Sequence, residues 1–364
     1  MRPEVTIDGL RVRAYTVPTD EPESDGTFEW DATTIVVVEA DGGGRIGLGY
    51  TYTDESAATL IRGRLAEVVE GRDALAVHDA WTVMVRAIRN LGRPGIASTA
   101  ISAVDIALWD LKTRLLEMPL ATLLDRTHDR IPVYGSGGFT SYSDQRLREQ
   151  LGAWAANGIR MVKMKVGREP ERDVARVGMA RDAIGPDVEL FVDANGAYGR
   201  KRALSFAAAF GELDVRWFEE PVTSDDLEGL RLLRDRGPGG MDIAAGEYGY
   251  DLPYFARMLE ADAVDCLQAD VTRCGGITGF LQVGALCEAR SIDLSAHCAP
   301  AASLPACLAV ARPRHIEYFH DHVRIERLLF DGGPTLRDGE LASDLSRPGL
   351  GVELKRADAE RFAA

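Results

Sequence analysis

The chain is short of positive charge: 42 Lys and Arg stand against 57 Asp and Glu, giving a net charge of −15 and a pI near 5.0. That balance disfavours nucleic acid and anionic membrane as partners, so an anionic ligand would have to be drawn in by local charge. Long apolar runs are missing as well. Met1–Leu10 mixes charges with its apolar residues, which supports neither a signal peptide nor a transmembrane helix, and a soluble cytoplasmic protein is expected. The five cysteines, Cys266, Cys274, Cys287, Cys298 and Cys307, are odd in number and include no C-x-x-C pair. Reduced, mostly buried thiols fit that usage better than a disulfide framework or a zinc site. Low-complexity segments and convincing sequence repeats are absent too.

At 364 residues the chain exceeds one ordinary core, and an α/β barrel of about 250 residues could fill most of it. Thr33–Glu39 is β-branched and apolar, Asp41–Gly44 can supply positive φ, and Ile46–Tyr52 can return as a second strand. No helix opens directly after that glycine cluster, so a turn is expected there rather than a phosphate cradle. Glu55–Arg89 and Ser98–Leu116 then carry helical apolar spacing, with Val104, Leu108, Leu111 and Leu115 on one stripe. From about Ile131 eight apolar runs alternate with seven amphipathic stretches, the pattern of a (β/α) barrel whose active site gathers at the C-terminal strand ends. The expected organisation is an α/β chain with an N-terminal α+β domain (1–127), a barrel (128–328), and a final segment (329–364) packing back on the first module.

Charged residues close these apolar runs at a steady interval. From Lys163, paired with Lys165, the successive gaps to Asp193, Glu219, Glu247, Asp270, His297 and Glu317 are 30, 26, 28, 23, 27 and 20 residues, roughly one βα unit each. Asp193, Glu219 and Glu247 would converge from three consecutive strands. Three converging buried carboxylates need a cation, and an all-oxygen donor set with open positions suits Mg²⁺. Glu220 rivals Glu219, because both precede Pro221. Asn195 shares a strand face with Asp193 and is a candidate for ligand hydrogen bonding.

Lys163 and Lys165 are two apart, so both would face the barrel interior with Met164 outward. Mutual repulsion and desolvation would favour the neutral form of one lysine, the state a general base needs. On the opposite wall Asp270 could fix the tautomer of His297 and make it a proton shuttle. By alternation Cys298 would point away from the lumen. His320 and His322 flank Asp321 beyond the eighth strand and read as an exposed loop rather than a metal site. Glu317 completes the circle.

Lys163-Met-Lys165, Asp193-Ala-Asn195, Glu219-Glu220-Pro221, Gly246-Glu247, the Asp270–Gly276 run, His297 and Glu317 together resemble the mandelate racemase subgroup of the enolase superfamily. Ser102–Lys112 is similar to that family's helix before the barrel, and the resemblance covers nearly the whole chain. It implies a capping domain over a modified TIM barrel, (β/α)₇β, and one Mg²⁺ per active site on Asp193, Glu219 and Glu247, with the first glutamate of the EEP run as ligand. It implies Lys165 as the base on one face and His297, paired with Asp270, as base or acid on the other. Lys163 would contact the substrate carboxylate, with Glu317 donating or sharing a proton, and the resemblance implies a small-molecule carboxylate substrate and a homo-oligomer.

Two bases on opposite faces allow racemisation or epimerisation of a 2-hydroxy acid, or β-elimination of water from a sugar acid, an aldonate or aldarate. The acid-sugar dehydratases of the resembling subgroup and a polar cap favour dehydration. Asp20–Trp30 reads as a flexible acidic segment where the family carries a substrate-covering loop, with Trp30 as a substrate contact. Its carboxylates would bind hydroxyls and repel a second acid group, favouring a mono-acid. A barrel metallohydrolase would not need two lysines on one strand, and a non-catalytic sugar-acid binder would not need both bases.

Overall fold

The computed structural model describes residues 5–364, so the first four residues of the Met1–Leu10 stretch lie outside the described residues. Gly43 and Gly44 take φ of 55° and 73°, left-handed values that glycine adopts without strain in a tight hairpin. The turn joins β2 (Glu29–Gly42) to β3 (Arg45–Tyr52), and β1 (Gly9–Ser24) completes a three-stranded antiparallel sheet. The helix Ile96–Leu115 lies on this sheet at very close range. A Cβ at Gly49 would stand 2.2 Å from the Ala103 carbonyl oxygen, and one at Gly47 would stand 2.2 Å from that of Ala107.

The spacing over Glu55–Arg89 resolves into two helical pieces rather than one. Ser56–Leu60 runs through a π turn at Ile61–Leu65 into Ala66–Val69, and Val77–Ala87 follows a break. Gly71, at φ 80°, falls in that break and lets the chain reverse.

The apolar runs of the second part form β4 (Ile131–Gly137), β5 (Met161–Lys165), β6 (Glu189–Asp193), β7 (Val215–Glu219), β8 (Asp242–Ala245), β9 (Cys266–Ala269), β10 (Asp293–Ala296) and β11 (Pro313–Phe319). Neighbours are parallel, and β11 pairs with β4 to close the ring. Seven helices alternate with them, from Asp144–Ala156 to Pro300–Ala309, making a (β/α)₇β barrel beneath a cap. Inside the ring, Tyr134, Phe191, Trp217, Ala244 and Cys266 pack as an apolar floor. Phe191 stacks on Trp217 with centroids 5.4 Å apart, and His315 meets Tyr134 edge-on at 4.7 Å. Among the described residues, no helix is long and apolar enough to cross a membrane.

The helix Ile96–Leu115 also fastens the cap to the barrel. Ser102 Oγ accepts the N–H groups of Gly275 and Gly276 at 2.9 and 3.0 Å, and Asp105 accepts from the Thr278 N–H and hydroxyl. The segment after residue 329 touches both units. Its strands β12 (Phe330–Gly332), β13 (Thr335–Arg337), β14 (Glu340–Ala342) and β15 (Val352–Leu354) include β14, which runs antiparallel to β4. The Leu350 N–H donates to Asp110 at 2.7 Å, and Arg356 donates to Glu39 at 2.9 Å.

A second fastening is titratable. The Tyr50 hydroxyl on β3 donates to Glu326 Oε1 at 2.6 Å, in the helix His320–Leu329. Burial pushes the Glu326 carboxyl up to about 8. The folded chain therefore holds a proton that the unfolded chain has released above the ordinary glutamate range, so this contribution is full in acid and is lost as pH rises toward about 8. Thermal unfolding scans from pH 5 to 8.5 are expected to show a decline in Tm with rising pH that is shallower in Glu326→Gln.

Candidate active site

Strand register does the first part of the positioning. Across β5, β6 and β7, Lys165 is the lateral partner of Asp193, and Asp193 of Glu219, at the C-terminal rim of the ring. Glu247 follows β8 after Gly246, whose φ is 137° and where a Cβ would stand 2.1 Å from the Gln268 carbonyl oxygen. Glycine is thus required to turn Glu247 inward. Asp193, Glu219 and Glu247 are buried and each offers an oxygen within 4.8 Å of the others.

The residues present fit a hard divalent cation. Burial and the nearby Asp193 charge push the Glu219 carboxyl up to about 8, a cost that a cation between the two would relieve. Glu247 Oε2 is buried without a hydrogen-bond partner. The donors are all carboxylate oxygens, the set that suits Mg²⁺. Glu219 is also held from below by the Trp217 indole N–H at 2.9 Å. Glu220 instead sits at φ 37°, and burial together with the Glu247, Asp193 and Glu219 charges pushes its carboxyl pKa well above the usual range.

Neither lysine shows the neutral form expected from their proximity. Lys165 Nζ lies 2.5 Å from Asp193, and Lys163 Nζ lies 2.5 Å from Glu219 and 2.8 Å from Glu317. Burial opposes both charges, but these carboxylates overcome it and hold both ammoniums above the usual lysine range. Lysine–lysine repulsion is the smaller effect because each ammonium has its own counterion.

On the far side of the triad, His297 Nδ1 meets Asp270 Oδ2 at 2.8 Å and its Nε2 stands 3.2 Å from Glu247. Burial disfavours the imidazolium, but the Glu247 and Glu317 carboxylates and the Asp270 bond raise its pKa well above the usual value. Glu317 Oε1 takes both Lys163 and the Ser136 hydroxyl, the latter at 2.6 Å, and its carboxyl is ionised despite burial because Lys163 and His297 face it. Glu317 is therefore an acceptor here, and Lys163 carries the proton they share.

Cys298 does not point away from the lumen. Cys298 and Ala299 both take positive φ, 53° and 44°, which breaks strand alternation and turns the thiol to within 3.3 Å of Glu317 and 3.4 Å of His297 Nε2. All five cysteines are free and buried. Asn195 also leaves the strand, at φ 45°, with its N–H on Asp193 Oδ1. Its Oδ1 is buried without a partner, and the residue borders the pocket.

That pocket, about 530 Å³, joins Lys165, Asn195, Glu247 and His297 to Trp30 and Phe28 of the cap. The acidic Asp20–Trp30 segment is not a flexible loop. It is the end of β1, a turn at Asp25–Phe28 and the start of β2. Asp20 faces His320 and Arg146, Glu21 faces Arg146, Glu23 accepts from the Trp30 indole and Glu29 pairs with Arg168. These four carboxylates are engaged by other side chains, whereas Asp25 of the same segment borders the pocket and accepts the Thr27 and Phe28 N–H groups. His320 and His322 likewise belong to a helix, not an exposed loop: His322 is buried and stacks on Tyr52 at 3.5 Å, and Asp321 is buried against Arg324 and Thr33.

Residues 12–125 match the mandelate racemase / muconate lactonizing enzyme N-terminal domain, and residues 146–359 match the enolase C-terminal domain-like family. The chain belongs to the enolase superfamily. Similar to it is a mandelate racemase/muconate lactonizing enzyme-like protein from Rubrobacter xylanophilus, at 61% identity and a TM-score of 0.96 over 98% of this chain and 99% of that one. A 3,6-anhydro-α-L-galactonate cycloisomerase from Streptomyces coelicolor is 33% identical, covering 96% of this chain and 97% of that protein. The L-talarate/galactarate dehydratase of Salmonella typhimurium, solved with Mg and L-lyxarohydroxamate, is 27% identical with a TM-score of 0.90, over 99% and 93% of the two chains.

Three further residues beside these groups were not singled out from the sequence. Ser136 and Tyr134 carry no charge, yet Ser136 supports Glu317 and the Tyr134 ring lies 5.2 Å from Lys163 Nζ. Arg273 looked like part of a loop motif, but its guanidinium stands 3.5 Å from both Glu247 and Asp270. Its place three residues after Asp270 was the available signal. For the Glu219/Glu220 pair, calorimetric Mg²⁺ titration is expected to show affinity reduced by about 100-fold or more in Glu219→Gln. Glu220→Gln, outside the three-carboxylate group, is expected to stay near wild type.

Proposed function

We propose that this chain is a Mg²⁺-dependent enzyme that removes the proton alpha to a sugar-acid carboxylate and expels the β-hydroxyl as water, giving a 2-keto-3-deoxy acid. One observation carries the reading: Lys165 Nζ and His297 Nε2 stand on opposite sides of the carboxylate triad, beside Asp193 and Glu247 respectively. Asp193, Glu219 and Glu247 would hold the cation. Bound there, Mg²⁺ supplies positive charge to offset the triad and the second negative charge that forms on the substrate carboxyl.

The protein's own groups do the rest. With Asp193 engaged as a ligand, Lys165 loses the counterion that keeps it protonated and can act as the base on one face. The C–H electrons move toward the carboxyl group, where Lys163 donates a hydrogen bond to the developing charge and Glu317 with Ser136 keeps Lys163 in place. His297, oriented by Asp270, donates its Nε2 proton to the departing β-oxygen, so the C–O bond breaks as the carbon–carbon double bond forms. Tautomerisation of the enol then yields the keto acid. Asn195 Oδ1 is free to accept from a substrate hydroxyl, and the Phe28 and Trp30 rings, 6.1 Å apart and nearly parallel, would cover the ligand.

The Streptomyces coelicolor relative favours a second reading in which the β-oxygen belongs to a ring ether, so the same bond cleavages isomerise an anhydro sugar acid with no loss of water. Return of the proton by the opposite base would instead make a racemase or epimerase. Purified enzyme with Mg²⁺ in D₂O, offered aldonic, aldaric and anhydro-aldonic acids, is expected to form a 2-keto acid from at least one, with one water lost according to the mass spectrum. Mass-neutral keto-acid formation selects the cycloisomerase, and α-deuteration without a keto acid selects the racemase. Hydrolysis or binding without exchange or turnover would refute the proposal.

The two faces can be tested separately. His297→Asn is expected to keep α-proton exchange for substrates whose hydrogen faces Lys165, and Lys165→Ala to keep it only for the opposite epimers. Identical exchange profiles in the two variants would contradict the assignment.

A further inference from the structure

We propose that His297, Cys298 and Glu317 form a binding site for a thiophilic divalent cation of the zinc class, distinct in its donors from the all-carboxylate triad. Cys298 Sγ lies 3.4 Å from His297 Nε2 and 3.3 Å from Glu317 Oε2, and those two atoms are 3.4 Å apart. A nitrogen, a sulfur and an oxygen thus form a triangle of nearly equal sides. Tetrahedral coordination produces that shape, since bonds of about 2.0–2.3 Å place neighbouring donors about 3.3–3.7 Å from one another.

The remaining contacts leave these three atoms available. His297 engages Asp270 through Nδ1, and Glu317 engages Lys163 and Ser136 through Oε1, so Nε2 and Oε2 are the atoms turned toward the thiol. A fourth donor stands ready in Glu247 Oε2, buried, 3.2 Å from His297 Nε2 and without an aligned hydrogen bond. This buried oxygen lacks an aligned donor, and a cation between it and the ring nitrogen would satisfy it.

Donor chemistry separates this site from the triad. Thiolate and imidazole select zinc-class cations, whereas Mg²⁺ prefers oxygen alone. Binding takes Cys298 as thiolate and His297 with Nε2 deprotonated, releasing both protons to the medium, so affinity rises with pH. Glu247 belongs to both donor sets, and His297 Nε2 would be occupied, so zinc would inhibit proton transfer on that face. The inhibitory consequence rests on the proposed function; the binding itself does not.

Cobalt(II) titration of the full chain in Mg²⁺-free buffer supplies a readout independent of turnover. The wild type is expected to develop a thiolate-to-cobalt charge-transfer band in the near ultraviolet with intense four-coordinate visible bands, saturating near one ion per chain. Cys298→Ser should lose the charge-transfer band, and Cys307→Ser, whose thiol is buried apart from the metal-competent cluster, should keep it. In wild type, Zn²⁺ should also protect Cys298 from alkylation, mapped by peptide mass spectrometry, a measurement that does not depend on any variant folding. No charge-transfer band, a band retained in Cys298→Ser, or equal alkylation with and without Zn²⁺ would each overturn the proposal. If the bands appear while every acid-sugar assay fails, the metal site stands and the reading of the reaction falls.

Discussion

Three carboxylates held together in a dry barrel mouth repel one another and resist losing water, and the rest of the site answers that constraint. Asp193, Glu219 and Glu247 cannot all remain ionised there without positive charge supplied at close range. Lys163 and Lys165 provide part of it from the neighbouring strand, and His297 provides more from the other side. A divalent cation is the remaining requirement. In the proposed reaction, turning the carboxylates toward that cation would free the same lysine and imidazole to move protons, so neutralisation and proton transfer would depend on one arrangement.

The scaffold makes this arrangement rigid. Parallel register sets Lys165, Asp193 and Glu219 side by side, and Gly246 turns Glu247 inward where a side chain would collide with the Gln268 backbone. The aromatic floor of Tyr134, Phe191 and Trp217 closes the barrel below, lowers the local dielectric and sends one indole N–H up to Glu219. Above, Ser102 and Asp105 lock the cap helix onto the loop that follows Asp270. This contact ties the lid-bearing domain to the wall that carries the His297–Asp270 pair.

Much of this was legible because a βα repeat converts spacing into position. Charges ending successive apolar runs must gather on one rim, and the eight strands lie where those runs fall. Local backbone departures were not legible. Left-handed conformations at Cys298 and Ala299 turned a thiol inward against strand alternation, and Asn195 reached the pocket through a turn rather than along its strand. Long-range charge pairing was equally hidden. Asp20 meets His320, 300 positions away, so most of the segment's acidic side chains pair with residues remote in sequence. The lysine charge states depended on partners from β6, β7 and β11, which proximity of the two lysines alone could not reveal.

The most direct test of the central claim is anomalous diffraction from crystals soaked in Mn²⁺, a spectroscopically visible substitute for Mg²⁺. The account predicts one strong peak bonded to carboxylate oxygens of Asp193, Glu219 and Glu247, with Lys165 and His297 on either side of it. A peak bound instead to the Asp20, Glu23 and His320 cluster, or no peak at the triad while its carboxylates stay paired with the lysines, would contradict it.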